Sequence, residues 1–298
     1  MMRISVPAPL LAVVLAALAG TAGPSVIAGQ GRGGAPLPRQ TARQAAPVDF
    51  TGTWVSVVTE DWRWRMVTAP AGDVASIPVS AEGRKAAAAW SRDADIASGN
   101  QCRAFGVGGI MRQPGRLRIS WQDDQTLKLE FDAGTQTRLF YFDPAAVAPA
   151  ERTLQGFSAA RWEGPGVGAG PIGDGRADPR VTGGGLLSRD LPGGGGGGLR
   201  GGPPPRQQSQ LNRGGNLRVV TTQVREGYLR KNGVPYSENA TVTEYFDVAP
   251  QPNGGQLLVV TTVVEDPRYL LQPFIVSSHF KKEADASKWD PTPCSATW

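Results

Sequence analysis

The chain has 298 residues and a formal net charge of +5. A basic protein can bind nucleic acid or an anionic membrane, so both are considered first as partners. The positions of the charges argue against both, because the basic excess falls in residues 1–47 and 165–216, while acidic residues slightly outnumber basic ones in the remainder. Beyond residue 28 no apolar run is long enough for a transmembrane helix, so we expect neither a nucleic-acid partner nor a membrane span.

The N-terminus has the pattern of an export signal. The apolar run from Leu10 to Leu18 has the length of a signal-peptide hydrophobic region and is too short to cross a bilayer as a helix. Small residues follow, and Val26-Ile27-Ala28 before Gly29 suits signal peptidase at the −3 and −1 positions, with Ala22-Gly23 as a second candidate. We therefore predict a signal peptide over residues 1–28, a flexible linker over residues 29–47 and a periplasmic or extracellular location.

The first segment of the predicted folded core, which begins at residue 48, combines strands with a helix. Asp49 to Trp54 predicts a strand in which Gly52 gives backbone freedom before the tryptophan packs. Trp62-Arg63-Trp64-Arg65 reads as a strand with both tryptophans on one face, either as a packed core pair or as a ligand-binding wall. Ser80 is expected to cap a helix that runs to Trp90, the only helix predicted after the signal peptide.

The two cysteines, Cys102 and Cys294, predict one disulfide. An exported chain with an even number of cysteines most often pairs them, and two cysteines allow one connectivity. Closing so long a loop would contribute up to about 5 kcal/mol to stability if chain entropy is the main effect.

After Cys102 the pattern is that of antiparallel strands. Apolar and polar residues alternate in Arg116 to Trp121 and again in Leu127 to Phe131, and Asp123-Asp124 turns the chain between them. Further strands are predicted at 135–142, 153–163, 217–224, 240–246, 256–264 and 274–281, with hairpin signals at Asn232-Gly233 and Asn253-Gly254. The prediction is a mainly β protein of about eight to ten strands, a single antiparallel calycin-like barrel or barrel-like meander with one short helix. An open sandwich is the alternative.

Residues 164–216 interrupt the strands with runs of glycine and proline and no aromatic residue. Such a segment cannot bury enough apolar surface to offset the entropy of ordering it, so we predict a disordered insert. The β domain is thereby divided into residues 48–163 and 217–298.

Short motifs along the core resemble a large group of secreted bacterial β-rich proteins whose function is not defined. They include Gln136-Thr137-Arg138-Leu139-Phe140-Tyr141, Gly233-Val234-Pro235-Tyr236-Ser237-Glu238 and Glu265-Asp266-Pro267-Arg268-Tyr269. The resemblance implies that the insert expands the tip of a hairpin, and Tyr236 stands where these relatives often have histidine. Gly52-Thr53-Trp54 also resembles the Gly-x-Trp opening of lipocalin-like barrels, where the tryptophan plugs one end.

The sequence lacks the residues that several catalytic chemistries require. His279 is the only histidine, which excludes a multi-histidine metal site, and no nucleophile-elbow motif is present. The Gly-x-Gly patterns lie in the insert rather than between a strand and a helix, so they do not indicate a nucleotide-binding site. Glu60-Asp61 and Glu265-Asp266 could serve acid/base chemistry or calcium, although solvated turn acids are favoured. We predict no catalytic residue, metal ligand or cofactor.

The leading functional hypothesis is non-catalytic binding of a small apolar or aromatic ligand in the periplasm or outside the cell. The alternatives are an envelope-associated structural or interaction protein and an enzyme that uses carboxylates such as Glu60 or Glu265. The predicted ligand-binding residues are aromatic or basic side chains of the predicted core: Trp54, Trp64, Arg118, Trp121, Arg138, Tyr141, Tyr228 and Tyr245.

Overall fold

The computed structural model describes residues 40–163 and 216–296. The predictions of a signal peptide, of the first part of the linker and of a disordered insert lie outside these residues. Within the described ranges no helix is long and apolar enough to cross a membrane.

Eleven strands make up the described β structure. Their alternating apolar and polar residues place one face of each main strand in a common core. In chain order they are β1 (Gly52–Ser56), β2 (Arg116–Asp123), β3 (Thr126–Phe131), β4 (Gln136–Tyr141), β5 (Phe157–Trp162), β6 (Leu217–Thr222), β7 (Gly227–Tyr228), β8 (Pro235–Tyr236), β9 (Thr241–Pro250), β10 (Gln256–Glu265) and β11 (Phe274–Lys282).

Nine of these strands close into a barrel in the order β1-β11-β10-β9-β6-β5-β4-β3-β2. The predicted barrel is confirmed, and closure leaves no unpaired edge along the sheet. One strand direction differs from the predicted meander, because β4 and β5 pair parallel while the other barrel pairs are antiparallel. A parallel pair requires a crossover, and residues 142–156 provide it by returning the chain to the opposite end of the barrel. β5 and β6 pair antiparallel, with Trp162 opposite Leu217.

The described ranges contain three short α-helices, α1 (Trp62–Arg65), α2 (Ala81–Ala88) and α3 (Arg92–Ala97). The predicted Ser80 cap of α2 is confirmed, since the Gly83 backbone N–H donates to Ser80 Oγ at 3.1 Å. The prediction of a single helix is wrong, and so is the strand assigned to Trp62–Arg65. A one-turn helix forms there instead, after Asp61 adopts a left-handed backbone conformation with φ of 57°.

The two ends of the barrel differ in what covers them. At one end lie the β2–β3 and β9–β10 turns; because aromatic rings gather there, we call it the aromatic end. At the other, the helical end, α2 meets the loop between β10 and β11, where the Ser80 backbone N–H donates to Tyr269 O at 2.8 Å. The small β7–β8 hairpin packs at the helical end as well, beside a 3-10 helix at Arg103–Phe105.

The predicted disulfide between Cys102 and Cys294 is confirmed, with Cα atoms 5.0 Å apart. It fixes the C-terminal segment against the β3–β4 turn, where the Thr292 backbone N–H also donates to Asp132 O at 2.9 Å. The bond is consistent with folding in an oxidising compartment outside the cytoplasm.

Candidate functional site

A buried ion pair crosses the middle of the barrel. Inward-facing positions alternate along each strand, which brings Arg138 of β4 and Glu244 of β9 to the interior. Arg138 donates through Nη1 to Glu244 Oε1 at 3.0 Å and through Nη2 to Glu244 Oε2 at 2.5 Å. Both side chains are fully buried. Because β5 and β6 lie between β4 and β9 in the sheet, the pair spans the interior rather than joining neighbouring strands.

Hydroxyl groups complete this polar layer. Arg138 Nη2 also donates to Thr221 Oγ1 at 3.3 Å, and Thr221 Oγ1 lies 2.8 Å from Ser158 Oγ. Arg138 Nε and Thr262 Oγ1 are buried without a hydrogen-bond partner among the described residues. Desolvation makes a buried ion pair expensive, so the layer adds little net stability.

Four aromatic rings form a contiguous cluster at the aromatic end, and we call these residues the ring cluster: Phe50, Trp121, Phe142 and Trp162. The rings of Phe142 and Trp162 have centroids 4.7 Å apart, and Trp121 lies 5.7 Å from Phe142 and 6.2 Å from Trp162. Phe50 stacks on Trp162 at 6.0 Å. Trp121 is only partly buried, so the cluster reaches the surface of the protein.

A second pair of rings separates the ring cluster from the ion pair. Phe140 of β4 and Phe246 of β9 contact each other across the interior, with centroids 5.4 Å apart, and Phe50 meets Phe246 edge-on at 6.4 Å. The side chains of the protein therefore occupy the middle of the barrel.

Residues 40–47, which the sequence places in the linker, form a turn over the ring cluster; we call them the strap. Three long-range hydrogen bonds attach the strap to the barrel. Trp162 Nε1 donates to Ala42 O at 2.7 Å, the Ala42 N–H donates to Gln125 Oε1 at 3.2 Å, and the Arg43 N–H donates to Asp124 O at 3.1 Å. Ala42 is buried at 7% exposure, while Arg43 and Gln44 face solvent.

Of the eight predicted ligand-binding residues, three face the interior or the aromatic end. Trp121 belongs to the ring cluster, and Arg138 belongs to the polar layer. Trp54 is fully buried on β1 and contacts the cluster through its indole N–H, which donates to Phe50 O at 2.9 Å.

Three others face outward from the barrel wall. Arg118 lies over the Trp289 ring at 4.3 Å, and Tyr141 stacks on Phe157 at 5.2 Å. Tyr245 lies 5.9 Å from the Arg218 guanidinium. The structure does not bring these three side chains to the ring cluster.

The last two predicted residues, Trp64 and Tyr228, lie at the helical end. The Trp64 ring contacts two arginine side chains, Arg63 of α1 and Arg230 of the β7–β8 turn. Tyr228 donates to Asp95 Oδ1 at 3.0 Å and accepts from Arg103 Nη1 at 3.1 Å, and burial raises the pKa of its hydroxyl to about 12. Tyr228 therefore stays protonated and holds α3 against the hairpin.

Sequence reasoning missed Glu244 and most of the ring cluster. Glu244 alternates with Val242 and Phe246 on β9, and a charged residue on the apolar face of a predicted strand was the signal available. Phe142 and Trp162 gave no comparable signal, because aromatic residues at strand ends are ordinary core residues.

The candidate acidic pairs separate into different environments. Glu60 contacts His279 of β11, and Asp61 binds Arg112. Glu265 faces solvent, whereas the buried Asp266 accepts hydrogen bonds from Ser237 in the loop before β9. Among the described residues no group of three or more histidine, cysteine, aspartate or glutamate side chains could hold a metal ion.

Tyr236 is fully buried at the helical end. Its ring lies against Gly106, Gly108 and Gly227, and a Cβ added at any of the three would overlap the tyrosine. Because glycine has no side chain, these three positions leave room for the Tyr236 ring.

Comparisons with known proteins identify no family for this chain. No protein-family model, curated protein or solved structure matches it. A closed barrel does not by itself specify a function, so the function depends on the geometry of particular residues.

Proposed function

We propose that this is a non-catalytic binding protein that takes a small apolar or aromatic ligand at the ring cluster. The observation that carries the proposal is a set of four contacting rings, partly open at Trp121, whose cover is a short turn outside the sheet. Aromatic rings offer large apolar contact area and favour stacked or edge-on partners, which suits an aromatic ligand.

The packing of the barrel supports a ligand at its end rather than in its middle. Phe140, Phe246, Arg138 and Glu244 fill the central layers and make contacts across the interior. A ligand entering those layers would break a fully buried ion pair, which is strongly unfavourable. A ligand at the ring cluster would replace only the contacts of the strap.

The strap is suited to being displaced. It contributes one small buried side chain, Ala42, and partly buried Ala45 and Ala46. Three hydrogen bonds join it to the barrel, and each has a net worth of about 1 kcal/mol. Displacement of the strap by a ligand therefore costs only a modest free energy.

The proposed site of action is the periplasm or the extracellular space. The disulfide is consistent with an oxidising compartment, and the predicted export signal agrees with it. The resemblance to lipocalin-like barrels belongs to the same proposal, since those barrels are binding proteins.

Fluorescence of the apolar probe N-phenyl-1-naphthylamine tests the proposal. We expect saturable binding to the parent protein, weaker binding to Trp121→Ala, and tighter binding to Ala42→Glu, in which a buried charge loosens the strap. Trp62→Ala, which removes an exposed tryptophan on α1, is the matched control and should bind like the parent. Absence of saturable binding in both the parent and Ala42→Glu would overturn the proposal.

A further inference from the structure

Three arginines from separate segments converge at the helical end, and we call them the arginine cluster: Arg65, Arg112 and Arg230. Arg65 ends α1, Arg112 ends a 3-10 helix, and Arg230 lies in the turn between β7 and β8. Their exposed fractions are 3%, 6% and 5%. Arginine is rarely so buried without a paired anion, so the partners of the three guanidinium groups matter.

Within the part of the chain that the structure describes, one of the three has a carboxylate partner. Arg112 Nη2 donates to Asp61 Oδ2 at 2.5 Å. Arg65 donates to neutral carbonyls instead, through Nε to Arg112 O at 3.0 Å and through Nη1 to Val57 O at 2.7 Å. Arg230 Nη1 likewise donates to a carbonyl, Ala75 O, at 2.7 Å. Among the described residues, neither Arg65 nor Arg230 has a carboxylate oxygen within 4.0 Å.

Two guanidinium nitrogens of the cluster remain unsatisfied. Arg65 Nη2 and Arg230 Nε are buried with no hydrogen-bond partner in the part of the chain that the structure describes. A buried donor without an acceptor is costly, and more so when it belongs to a charged group. The unsatisfied donors belong to the two arginines that lack a carboxylate.

The surrounding charges leave a positive excess. Burial first, and then repulsion from Arg112, lowers the pKa of Arg65, and the same two causes lower the pKa of Arg230 to about 10. Glu60 and Asp61 act in the opposite direction on Arg65, and Asp61 and Asp73 do so on Arg230. Asp61 already binds Arg112, however, while Glu60 contacts His279 and Asp73 lies 3.8 Å from Arg63. An added anion would relieve the repulsion within the cluster.

Trp64 supplies a flat face beside these donors. Its ring lies 3.9 Å from the Arg230 Cζ and 4.7 Å from the Arg63 Cζ, so the indole contacts two guanidinium groups. This contact fixes the plane of Arg230 without using its nitrogen donors. The planar donors are thus held in place before any anion arrives.

We propose that the arginine cluster is a binding site for a phosphate or sulfate group, in which the anion takes the Arg112 donor that Asp61 occupies in this structure. Guanidinium groups recognise such oxyanions through pairs of parallel hydrogen bonds, and three convergent groups suit a multivalent one. The exposed part of Asp61, whose side chain is 38% accessible, gives the anion a route to Arg112. Asp61 then acts as an internal competitor for the site.

The full chain is titrated with sodium phosphate, and separately with sodium sulfate, at an ionic strength held constant with sodium chloride. We expect a saturable rise in the unfolding midpoint of the parent. Arg230→Gln should weaken the apparent affinity about tenfold or more, since it removes a charged donor. Asp61→Asn should strengthen it, because the competitor is neutral. Arg118→Gln, on the outer face of β2, is the matched control and should respond like the parent.

General salt exclusion predicts a different result. Phosphate and sulfate stabilise many proteins without binding, but that rise does not saturate and would be equal in all variants. An equal, non-saturating response in the parent, Arg230→Gln and Asp61→Asn overturns the proposal. If a variant does not fold, equilibrium dialysis of the parent against phosphate decides, and absence of saturable binding again overturns it.

Phenyl phosphate distinguishes the two sources of the group. Tighter binding of phenyl phosphate than of inorganic phosphate identifies an organic ester that also contacts Trp64, and equal binding identifies the free anion. Neither result depends on the ring cluster, which lies at the other end of the barrel, so Trp121→Ala should leave anion binding unchanged.

Discussion

Arg138 and Glu244 are joined by two hydrogen bonds across the barrel interior, although two strands separate β4 from β9 in the sheet. The ion pair therefore links opposite walls of the barrel. Its position between apolar layers means that neither partner can reach water once the other is removed.

Breaking this pair should be far more costly than replacing it. We expect Glu244→Leu to lower the free energy of unfolding by about 3–5 kcal/mol, because it leaves an uncompensated buried guanidinium. The double variant Arg138→Met/Glu244→Leu should recover most of that loss. Urea denaturation of the parent and variants measures both effects, and a double variant no more stable than Glu244→Leu would contradict this account.

Removing the disulfide should release the C-terminal segment while the barrel survives. Cys102 and Cys294 are 192 residues apart in sequence, so Cys294→Ser should lower the unfolding midpoint, with a loss of up to about 5 kcal/mol by chain entropy. Residues 284–296 should become protease-sensitive, as intact-mass analysis after limited proteolysis would show. Cys102→Ser is the control and should behave in the same way. Two free thiols in the untreated parent would contradict the bond.

A substitution at Gly106 should be suppressed by a change at Tyr236. A Cβ at Gly106 would overlap the Tyr236 hydroxyl, so we expect Gly106→Ala to cost about 1–3 kcal/mol. Tyr236→Phe removes the hydroxyl and should make the glycine substitution less costly. Thermal unfolding of the two single variants and the double variant measures the coupling, and equal costs in both backgrounds would show that the two residues do not interact.

The stability contributed by Lys231 should depend on pH. Burial lowers the pKa of Lys231 to about 8, below the value of about 10.4 for an unfolded lysine. Between these values the unfolded chain binds more protons than the folded one, so stability rises with pH across this window. Lys231→Met should therefore stabilise the protein most below pH 8 and progressively less toward pH 10.

Urea denaturation of the parent and Lys231→Met at several pH values provides the test. Subtracting the free energy of unfolding of one protein from that of the other removes the contribution of the titratable groups that both contain. The matched control is Lys288→Met, which removes a lysine at an exposed position. A Lys231→Met difference that does not change between pH 7 and pH 10 would contradict the prediction.

Local patterns were sufficient for most of the elements. The alternation in Arg116 to Trp121 and in Leu127 to Phe131 predicted β2 and β3, because a two-residue period places every second side chain in the core. Ser80 predicted the start of α2 because its hydroxyl satisfies a free backbone N–H at short range. The disulfide followed from having only two cysteines.

The same reasoning failed at Trp62–Arg65, where an alternating tryptophan–arginine pattern predicted a strand. The one-turn helix α1 forms because Arg65 is held by Val57 O and by Arg112 O, the latter 47 residues away in sequence. Contacts of this kind outweigh the weak preference of four residues for one conformation.

The sequence by itself determined which side chains of β2 and β3 face the core, since that depends on a two-residue period along each strand. It also determined that the cysteines pair, since there are only two. Only the tertiary structure decided that β4 and β5 run parallel, that the strap covers the ring cluster and that three arginines meet at the helical end. These features join segments far apart in sequence, and no local period encodes which distant segments become neighbours.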